Sequence, residues 1–221
     1  NLLRLMRGFW ASRQILRDFQ PDVLLFTGGY LAVPMALAAQ KLFGRKMPAL
    51  LLTPDIEPGL ALQTLARFAQ VIAAPAEDSK DHFKRPERIV VTGYPVRPEL
   101  LAFERSQAFE LFKLEAGLPV LLVLGGSTGA QSINRGLISH LESLLPKLQI
   151  IHLTGQRNWE EVQKAVRDLP IEIADRYHPF PYLHEEMGAA LRSADLVVSR
   201  AGASSLGEYP AFGLPAVLVP Y

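Results

Sequence analysis

Two stretches rich in glycine and serine have the composition of turns that bind anions. The first, GGSTGAQSIN at residues 125–134, directly follows the apolar run Val120–Leu124. Ligands of doubly wound sheets bind at the carboxyl ends of strands, and the N–H groups and dipole of a helix start attract anions. Ser127 and Thr128 add hydroxyl donors. The spacing is neither a P-loop, since no Lys follows Gly129, nor G-x-G-x-x-G, so a plain tight turn is an equal alternative.

The second stretch, SRAGASSLGE at residues 199–208, also follows a predicted strand and precedes a predicted helix. Gly202 permits a close backbone approach. The run from Ser205 to Glu208 matches the S-x-x-E capping box, in which Glu208 only supports the helix start. The alternative assigns Glu208 to the two neighbouring hydroxyls of a ribose, since a carboxylate can accept both hydrogen bonds. The residue pattern alone favours the cap.

The elements that position these stretches alternate between helical and strand patterns along the whole chain. Pro95 and Pro98 exclude a helix at residues 94–98. Short apolar strands between helices indicate parallel sheets covered on both faces. The two series, joined near residues 95–118, predict two Rossmann-like domains. Predicted helices occupy residues 2–19, 31–42, 60–69, 106–115, 131–145, 159–168, 185–192 and 205–212; predicted strands occupy 23–26, 49–52, 71–74, 89–91, 120–124, 149–153, 171–174, 196–199 and 216–219; and 177–182 is predicted to be a loop rich in aromatics and proline.

Composition narrows the class of protein. The chain has 221 residues, a formal net charge of +1 and no cysteine. The balanced charge argues against nucleic acid as a partner, and the missing cysteines exclude disulfides and thiolate chemistry. No apolar run approaches the roughly 20 residues of a membrane span. Because the chain begins at Asn1 inside a helical pattern and ends at Tyr221 after an apolar run, we expect it to be an internal fragment.

Several motifs together resemble one family. VTGYPVRPEL, LGGSTGAQSIN and SRAGASSLGEYPAFGLPAVLVP occur in this order, preceded by PDVLLFTGGYLAVPMALAA and EPGLALQTLARFA. They resemble the MurG branch of glycosyltransferase family 28 over nearly the whole chain. The resemblance implies an α/β fold of the GT-B type, with two Rossmann-like doubly wound parallel-sheet domains, both incomplete. Residues 1–99 would be the latter part of the acceptor and membrane-side domain, 100–118 a linker helix region, and 119–221 the truncated UDP-sugar domain.

The resemblance also implies roles for particular residues. The glycine turn and Arg97 would contact the donor diphosphate, the stretch from Ala203 to Glu208 would hold the nucleoside with Glu208 on ribose, and Leu183 or His184 would contact uracil. Asp55 occupies the position of an Asn that contacts the donor sugar. The implied binding residues are Asp55, Arg97, Gly126, Ser127, Thr128, Gly129, Leu183, His184, Ala203, Ser204, Ser205, Leu206 and Glu208.

The chain departs from the family pattern in two places. The amino-terminal glycine-rich loop, with the His proposed as general base, is absent, and none of the five His residues stands at a matching position. The catalytic base is therefore unknown, and we expect the chain by itself to be inactive. The second departure is Thr53-Pro54-Asp55, because a carboxylate accepts hydrogen bonds but cannot donate one as an amide does.

The implied reaction is inverting transfer of N-acetylglucosamine from UDP-GlcNAc to undecaprenyl-pyrophosphoryl-muramoyl-pentapeptide (lipid I), which gives lipid II of peptidoglycan. The chain has no Asp-x-Asp metal motif, so this interpretation requires neither metal nor cofactor. The alternatives are a related family 28 glycosyltransferase with another lipid-linked acceptor, and a nucleotide-sugar-binding module without catalysis.

A membrane surface is the further expected partner. The predicted helix Leu2–Phe19 mixes apolar residues with Arg4, Arg7, Arg13 and Arg17, as helices that lie in an anionic membrane interface do. A core-facing amphipathic helix with solvated arginines is nearly as good an interpretation. By the resemblance, we expect a peripheral location on the cytoplasmic face of the bacterial plasma membrane.

Overall fold

The computed structural model describes residues 2–40, 47–126 and 128–220. The chain divides into two compact units, Asn1–Pro95 and Val96–Tyr221. Each unit contains one parallel β-sheet with helices between its strands. The predicted α/β class with two parallel sheets is therefore confirmed.

The first unit has a sheet whose four strands pair in chain order. Short apolar runs form these strands, and Leu51 and Ile72 on the two central ones are fully buried against Leu65 of a covering helix. The strands are β1 (Leu24–Phe26), β2 (Ala49–Leu52), β3 (Val71–Ala74) and β4 (Ile89–Val91); the helices are α1 (Leu2–Phe19), α2 (Ala32–Ala39) and α3 (Leu60–Ala66), with 3₁₀ turns at Glu77–His82 and Pro86–Arg88.

The second unit has a five-stranded sheet of order β7-β6-β5-β8-β9, all parallel. The chain first builds outward from β5 to one side and then crosses over to the other side. This is the doubly wound arrangement. The strands are β5 (Val120–Leu124), β6 (Gln149–Leu153), β7 (Tyr177–Phe180), β8 (Leu196–Arg200) and β9 (Ala216–Val219); the helices are α4 (Arg105–Phe112), α5 (Gln131–Ile138), α6 (Leu141–Leu144), α7 (Trp159–Arg167), α8 (Ile171–Ala174), α9 (Met187–Ser193) and α10 (Ser205–Phe212).

The central strand β5 shows why this sheet is covered on both faces. Val120 and Leu122 belong to one buried cluster, with α4, α9 and α10, whereas Leu121 and Val123 belong to another, with α5 and α7. Successive side chains of a strand point to opposite faces, so a continuous apolar run fills two cores at once.

Two predictions between β6 and α9 are wrong. Residues 171–174 form the short helix α8 instead of a strand, since the Pro170 carbonyl accepts hydrogen bonds from the N–H groups of Ile173 and Ala174. Residues 177–180 form β7 instead of a loop. β7 is an edge strand, where a proline such as Pro179 is tolerated because only one side of the strand must supply ladder hydrogen bonds.

The predicted helix at residues 131–145 is interrupted. Ser139 Oγ donates to the Gly136 carbonyl, and His140 Nδ1 lies 2.8 Å from the same oxygen. Side chains that bond the local backbone compete with the helix ladder, and the chain accordingly divides into α5 and α6. The predicted helix at 31–42 is observed as α2; its residues 41–42 lie outside the described ranges.

Candidate functional site

Both glycine- and serine-rich stretches lie at the edge of the second sheet that is formed by the carboxyl ends of its strands. The first follows β5 and the second follows β8, and these strands are neighbours with Leu124 paired to Ser199. The connections from β5 and β8 lead to opposite sides of the sheet, which makes this edge the topological switch point. Ligands of doubly wound sheets bind in the crevice outside the strand ends at this point.

A cavity of about 770 Å³ opens at this edge, within the size range of small-molecule sites. It brings together six of the residues implied by the sequence, which come from four separate segments of the chain, those that follow β4, β5, β7 and β8. They are Arg97, Gly126, Leu183, His184, Ser204 and Glu208.

The other implied residues are placed as follows. Thr128 and Gly129 belong to the turn that Gly126 begins, and Ala203, Ser205 and Leu206 surround the start of α10; none of these five lines the cavity wall. Ser127 lies outside the described residues. Asp55 belongs to the first unit, where its side chain is exposed and its carbonyl accepts a hydrogen bond from Thr53 Oγ1 at 3.0 Å.

The glycine turn is held in a compact shape. The N–H of Gly129 donates to the Gly126 carbonyl at 3.0 Å, so this N–H is not available to an anion. Gly129 has φ of +78°, and a Cβ at this position would lie 2.2 Å from the Thr154 carbonyl oxygen. Only glycine fits here. The N–H groups with no partner inside a helix are those of the first turn of α5, just beyond the glycine turn.

Glu208 does not act as a helix cap, so the interpretation that the residue pattern favoured is wrong. The carbonyl of Ser204 already accepts hydrogen bonds from the N–H groups of Gly207 and Glu208, and no side-chain cap bond is formed. Ser205 is therefore inside the helix. The third helical position, where a capping box needs Glu or Gln, is Gly207.

The electrostatics of Glu208 reflect its place in the cavity wall. Burial raises the pKa of the Glu208 carboxyl above its usual range, and the positive charge of Arg97 partly offsets this shift. A partly dehydrated carboxylate near a guanidinium is a strong acceptor, because fewer water molecules compete for its oxygens.

The segment that carries Arg97 is anchored to α9. Leu100 is buried, and its backbone passes so close to Gly188 that a Cβ there would lie 2.4 Å from the Leu100 carbonyl oxygen. Arg192 Nε donates to the Phe103 carbonyl at 3.0 Å. Arg97 itself is exposed, so a fixed backbone presents a charged side chain with room to adjust.

Sequence reasoning missed several residues of the cavity wall. The missed residues include Tyr182, Phe103 and Met187: the Tyr182 ring packs edge-to-face with that of the predicted His184, with ring centroids 4.6 Å apart, and Phe103 and Met187 add apolar surface. Aromatic residues in the loop before α9 were the available signal. Their position at this cavity depends on the strand order, which the sequence pattern does not contain.

The cavity can accommodate three kinds of chemical group. Arg97, together with the turn that begins at Gly126 and leads into α5, suits an anion such as a diphosphate. Glu208 suits a vicinal diol, and the Tyr182–His184 wall suits a flat ring. Within the described ranges, no three His, Cys, Asp or Glu side chains are placed to share a metal ion.

Comparison with known proteins gives consistent matches. Residues 120–221 match the glycosyltransferase family 28 C-terminal domain. A relative from Roseiflexus sp. is 41% identical, with 100% of this chain and 57% of the relative covered, and one from Desulforamulus reducens is 39% identical, with 97% and 58% covered. Both are named UDP-N-acetylglucosamine–N-acetylmuramyl-(pentapeptide) pyrophosphoryl-undecaprenol N-acetylglucosamine transferase. The chain thus spans less than two thirds of their length.

Solved structures agree in fold. MurG of Acinetobacter baumannii superposes with a TM-score of 0.71 at 26% identity, over 99% of this chain and 58% of that one. A UDP-GlcNAc 2-epimerase from Neisseria meningitidis gives a TM-score of 0.70 over 97% and 63%, but its 18% identity shows only a shared fold. Residues 120–221 therefore belong to glycosyltransferase family 28 as its C-terminal domain, and the relatives and the MurG structure extend the similarity over the first unit.

Proposed function

We propose that the full-length protein containing this chain transfers N-acetylglucosamine from UDP-GlcNAc to lipid I, giving lipid II. The observation that carries the proposal is that Arg97 and Glu208 line one cavity at the switch point of the second sheet. A guanidinium and a carboxylate at this edge match the diphosphate and the ribose of a nucleotide sugar. The name of the relatives supplies the proposed donor and acceptor.

The proposed donor site has a diphosphate end and a nucleoside end. Arg97, the turn from Gly126 to Gly129 with the hydroxyls of Ser127 and Thr128, and the start of α5 bind the diphosphate. Ala203, Ser204, Ser205 and Leu206 surround the nucleoside, with the Glu208 carboxylate on the ribose hydroxyls. Leu183 and His184 contact the uracil, and the neighbouring ring of Tyr182 extends this wall.

The donor sugar is assigned to Asp55, and this assignment rests on the sequence resemblance alone. Its carboxylate accepts hydrogen bonds from sugar hydroxyls. The first unit would then serve the acceptor and the membrane, and the second would bind the UDP-sugar; the predicted linker region, residues 100–118, lies within the second unit.

The chemistry that these residues contribute is stabilisation of the leaving group. In inverting transfer, the acceptor oxygen attacks the anomeric carbon while the bond to the UDP oxygen breaks, so negative charge grows on the diphosphate. The helix-start N–H groups are fixed donors that stabilise this charge without reorganising, and the Arg97 guanidinium adds a positive charge on a side chain that can adjust to the leaving diphosphate. The group that takes the proton from the acceptor hydroxyl is not assigned to any residue of this chain.

A membrane surface is the proposed further partner, through α1. Met6, Trp10, Arg13 and Arg17 recur at helical spacing, and Met6 and Trp10 are 53% and 63% exposed. The Arg13 guanidinium lies 6.0 Å from the Trp10 ring. Apolar and cationic groups on one exposed stripe suit an anionic interface. Peripheral binding at the cytoplasmic face of the plasma membrane follows as part of the proposal; in the described parts of the chain, no helix has the length and apolarity of a membrane span.

The decisive experiment separates the two ends of the donor site in the full-length protein. UDP and uridine are titrated calorimetrically into the parent, Arg97→Ala, Glu208→Gln and the control Arg167→Ala, whose exposed arginine on α7 is not part of the cavity. Arg97→Ala should weaken UDP about tenfold or more and leave uridine unchanged, because charged hydrogen bonds contribute about 1.5–3 kcal/mol. Glu208→Gln should weaken both ligands about five- to thirtyfold with unchanged thermal stability.

The same preparation is then tested for transfer of labelled GlcNAc to lipid I. Formation of lipid II supports the proposal, and transfer only to another glycolipid replaces it with a related family 28 activity. Binding of UDP-GlcNAc without transfer to any lipid acceptor would identify a nucleotide-sugar-binding module. A parent that binds UDP no better than uridine would contradict the diphosphate assignment.

A further inference from the structure

Three polar side chains form a continuous hydrogen-bonded chain inside the second unit. His152 on β6 is fully buried; its Nδ1 lies 2.7 Å from the hydroxyl of Tyr177 on β7, and its Nε2 lies 3.0 Å from Oδ1 of Asn134 on α5. Asn134 is also buried, and its Nδ2 donates to the Thr154 carbonyl at 2.7 Å. This chain of hydrogen bonds therefore runs from the edge strand β7 to the loop that follows β6.

The positions of the protons in this chain follow from its last bond. If the Asn134 amide were reversed, its oxygen would face the Thr154 carbonyl oxygen at 2.7 Å, which is repulsive. Asn134 Oδ1 therefore faces His152 Nε2, and Nε2 must carry the proton. His152 Nδ1 then accepts the Tyr177 O–H. Burial lowers the pKa of His152 to about 4 and raises the pKa of Tyr177, so both groups are neutral near pH 7.

The Thr154 carbonyl is where this chain meets the glycine turn. Asn158 Nδ2 also donates to it, at 3.4 Å, while the Thr154 N–H donates to the Phe180 carbonyl at 2.9 Å. Gly129 packs directly against this oxygen, since a Cβ added at Gly129 would lie only 2.2 Å from it. A shift of the Thr154 carbonyl must therefore move Gly129, and with it the turn that precedes α5.

We infer that Asn134, His152 and Tyr177 are positioning residues that hold the glycine turn in the shape that receives the diphosphate. The identity of the ligand rests on the proposed function above. Asn134 belongs to the helix that starts at the turn, and its amide connects this helix to the loop on which the turn packs. The turn is thus fixed from both sides by a network whose three members lie behind it and outside the cavity wall.

A purely structural role is the alternative that the experiment must separate. Buried polar groups that keep all their hydrogen bonds can rigidify a core without serving a ligand. The readout is therefore the ratio of UDP affinity to uridine affinity, which isolates the diphosphate and is not altered by a uniform loss of stability. The full-length protein is used throughout.

The variants form matched pairs. Asn134→Leu removes a buried amide of α5 that contacts the backbone just beyond the carboxyl end of strand β6, next to the turn. Gln149→Met removes a buried amide at the start of the same strand, where Gln149 bonds the backbone of Glu115 and Leu118. Tyr177→Phe removes only the hydroxyl that donates to His152 Nδ1, and Ser193→Ala removes a buried hydroxyl whose partner is Ala190 in α9.

Asn134→Leu should lower the UDP-to-uridine affinity ratio about tenfold, because both hydrogen bonds of the Asn134 amide are lost. Tyr177→Phe should lower it about threefold, because it removes a single hydrogen bond that lies farther from the turn. Gln149→Met and Ser193→Ala should leave the ratio unchanged even where they reduce the melting temperature. Equal ratios in Asn134→Leu and Gln149→Met would overturn the inference and assign the network a structural role only.

Amide hydrogen exchange in the ligand-free protein tests the positioning without relying on the ligand. Asn134→Leu and Tyr177→Phe should accelerate exchange at the Gly129 amide, which is bonded to the Gly126 carbonyl, more than the two controls do. If the parent binds no UDP but this exchange increases as expected, the proposed function fails and the positioning stands. If the parent binds UDP and Gly129 exchange is unchanged in both variants, the positioning fails alone.

Discussion

The two units share a fold type but differ in what their cores contain. Among the described residues, ten polar or charged side chains are buried, and they are unevenly distributed. The first unit has Ser12, Thr53 and Ser79, while the second has Asn134, Gln149, His152, Thr154, Ser193, Ser199 and Ser205.

This difference shows where polar groups are tolerated in a sheet core. Burying a polar group is unfavourable unless it is hydrogen-bonded, and Asn134, Gln149 and His152 all form hydrogen bonds of 2.7–3.0 Å. In the second unit these groups join helices to loops at strand ends. The first unit relies on apolar packing around Leu51, Leu65 and Ile72. We therefore expect the two units to respond differently to matched changes.

The largest difference should come from one pair of glycines with nearly equal φ. Gly129 of the second unit has φ of +78° and contacts the Thr154 carbonyl, whereas Gly29 of the first has φ of +81° and no atom within 4 Å of a Cβ. Gly129→Ala combines left-handed strain with overpacking and should destabilise its unit by about 3–5 kcal/mol. Gly29→Ala should cost only the strain, about 1–2 kcal/mol.

Denaturant unfolding measures both effects, because the only two tryptophans, Trp10 and Trp159, lie in different units. Trp10→Phe leaves a fluorescence reporter of the second unit, and Trp159→Phe leaves one of the first. Similar losses for the two alanine variants would show that the Thr154 contact is compliant, contrary to the rigid turn described above.

Acid should destabilise the second unit through His152. Its pKa is about 4 in the folded state and about 6.5 when unfolded, so between these values the unfolded chain binds more protons. The free energy of unfolding should therefore fall as pH decreases from about 6.5 to 4, by up to roughly 3 kcal/mol. His178, whose pKa burial also lowers, acts in the same direction, although Asp175 opposes it.

Unfolding of the second unit is followed with Trp159 across this pH range in the parent and in His152→Gln. The variant loses the titrating ring, so its free energy of unfolding should depend less steeply on pH. Identical pH slopes in parent and variant would mean that His152 does not carry this dependence. Unfolding of the first unit, followed with Trp10, supplies the baseline from the carboxylates.

The smallest effect concerns the membrane. If α1 provides the contact, replacing Met6 and Trp10 with Ser should weaken binding of the full-length protein to vesicles of anionic lipid about tenfold, because two exposed apolar side chains lose their burial. Ile171→Ser, which alters the most exposed isoleucine described in the second unit, is the control and should have no effect. Equal losses, or insensitivity of parent binding to salt, would contradict docking through α1.

The sequence predicted the strands well because apolar runs between turn residues define them. β2, β3, β4, β5, β6 and β9 begin and end at the predicted residues. Helix ends were less predictable: the break before α6 depends on Ser139 and His140 bonding to the Gly136 carbonyl. β7 was missed because a segment with Pro179 is a strand only where it lies at a sheet edge, and edge position is a tertiary property.

The site was predictable in its loops and less so in its details. Gly126, Ser204 and Glu208 were identified from motifs that follow strands, and they line one cavity because β5 and β8 are neighbours. The cap interpretation of Glu208 was wrong because the N-cap is Ser204, one residue before the Ser205 that the capping box requires. A sequence pattern cannot decide between two adjacent serines as the N-cap. The ring of Tyr182 and the network behind the turn join elements distant in sequence, so no local pattern could predict them.

The hydrogen bonds that hold the start of the central strand β5 have a kinetic consequence. The Asp195 carboxylate accepts hydrogen bonds from the Val120 N–H and from Arg105 Nη2, both at 2.8 Å, and the Asp195 N–H donates to the Val120 carbonyl. Val120 thus forms its hydrogen bonds with Asp195, a residue 75 positions later in the chain. Closing so long a loop precedes any gain from the contact. During synthesis, β1 to β4 can pair in the order in which they leave the ribosome, whereas β5 stays half-paired until β8 has emerged, and the second unit should fold later and more slowly.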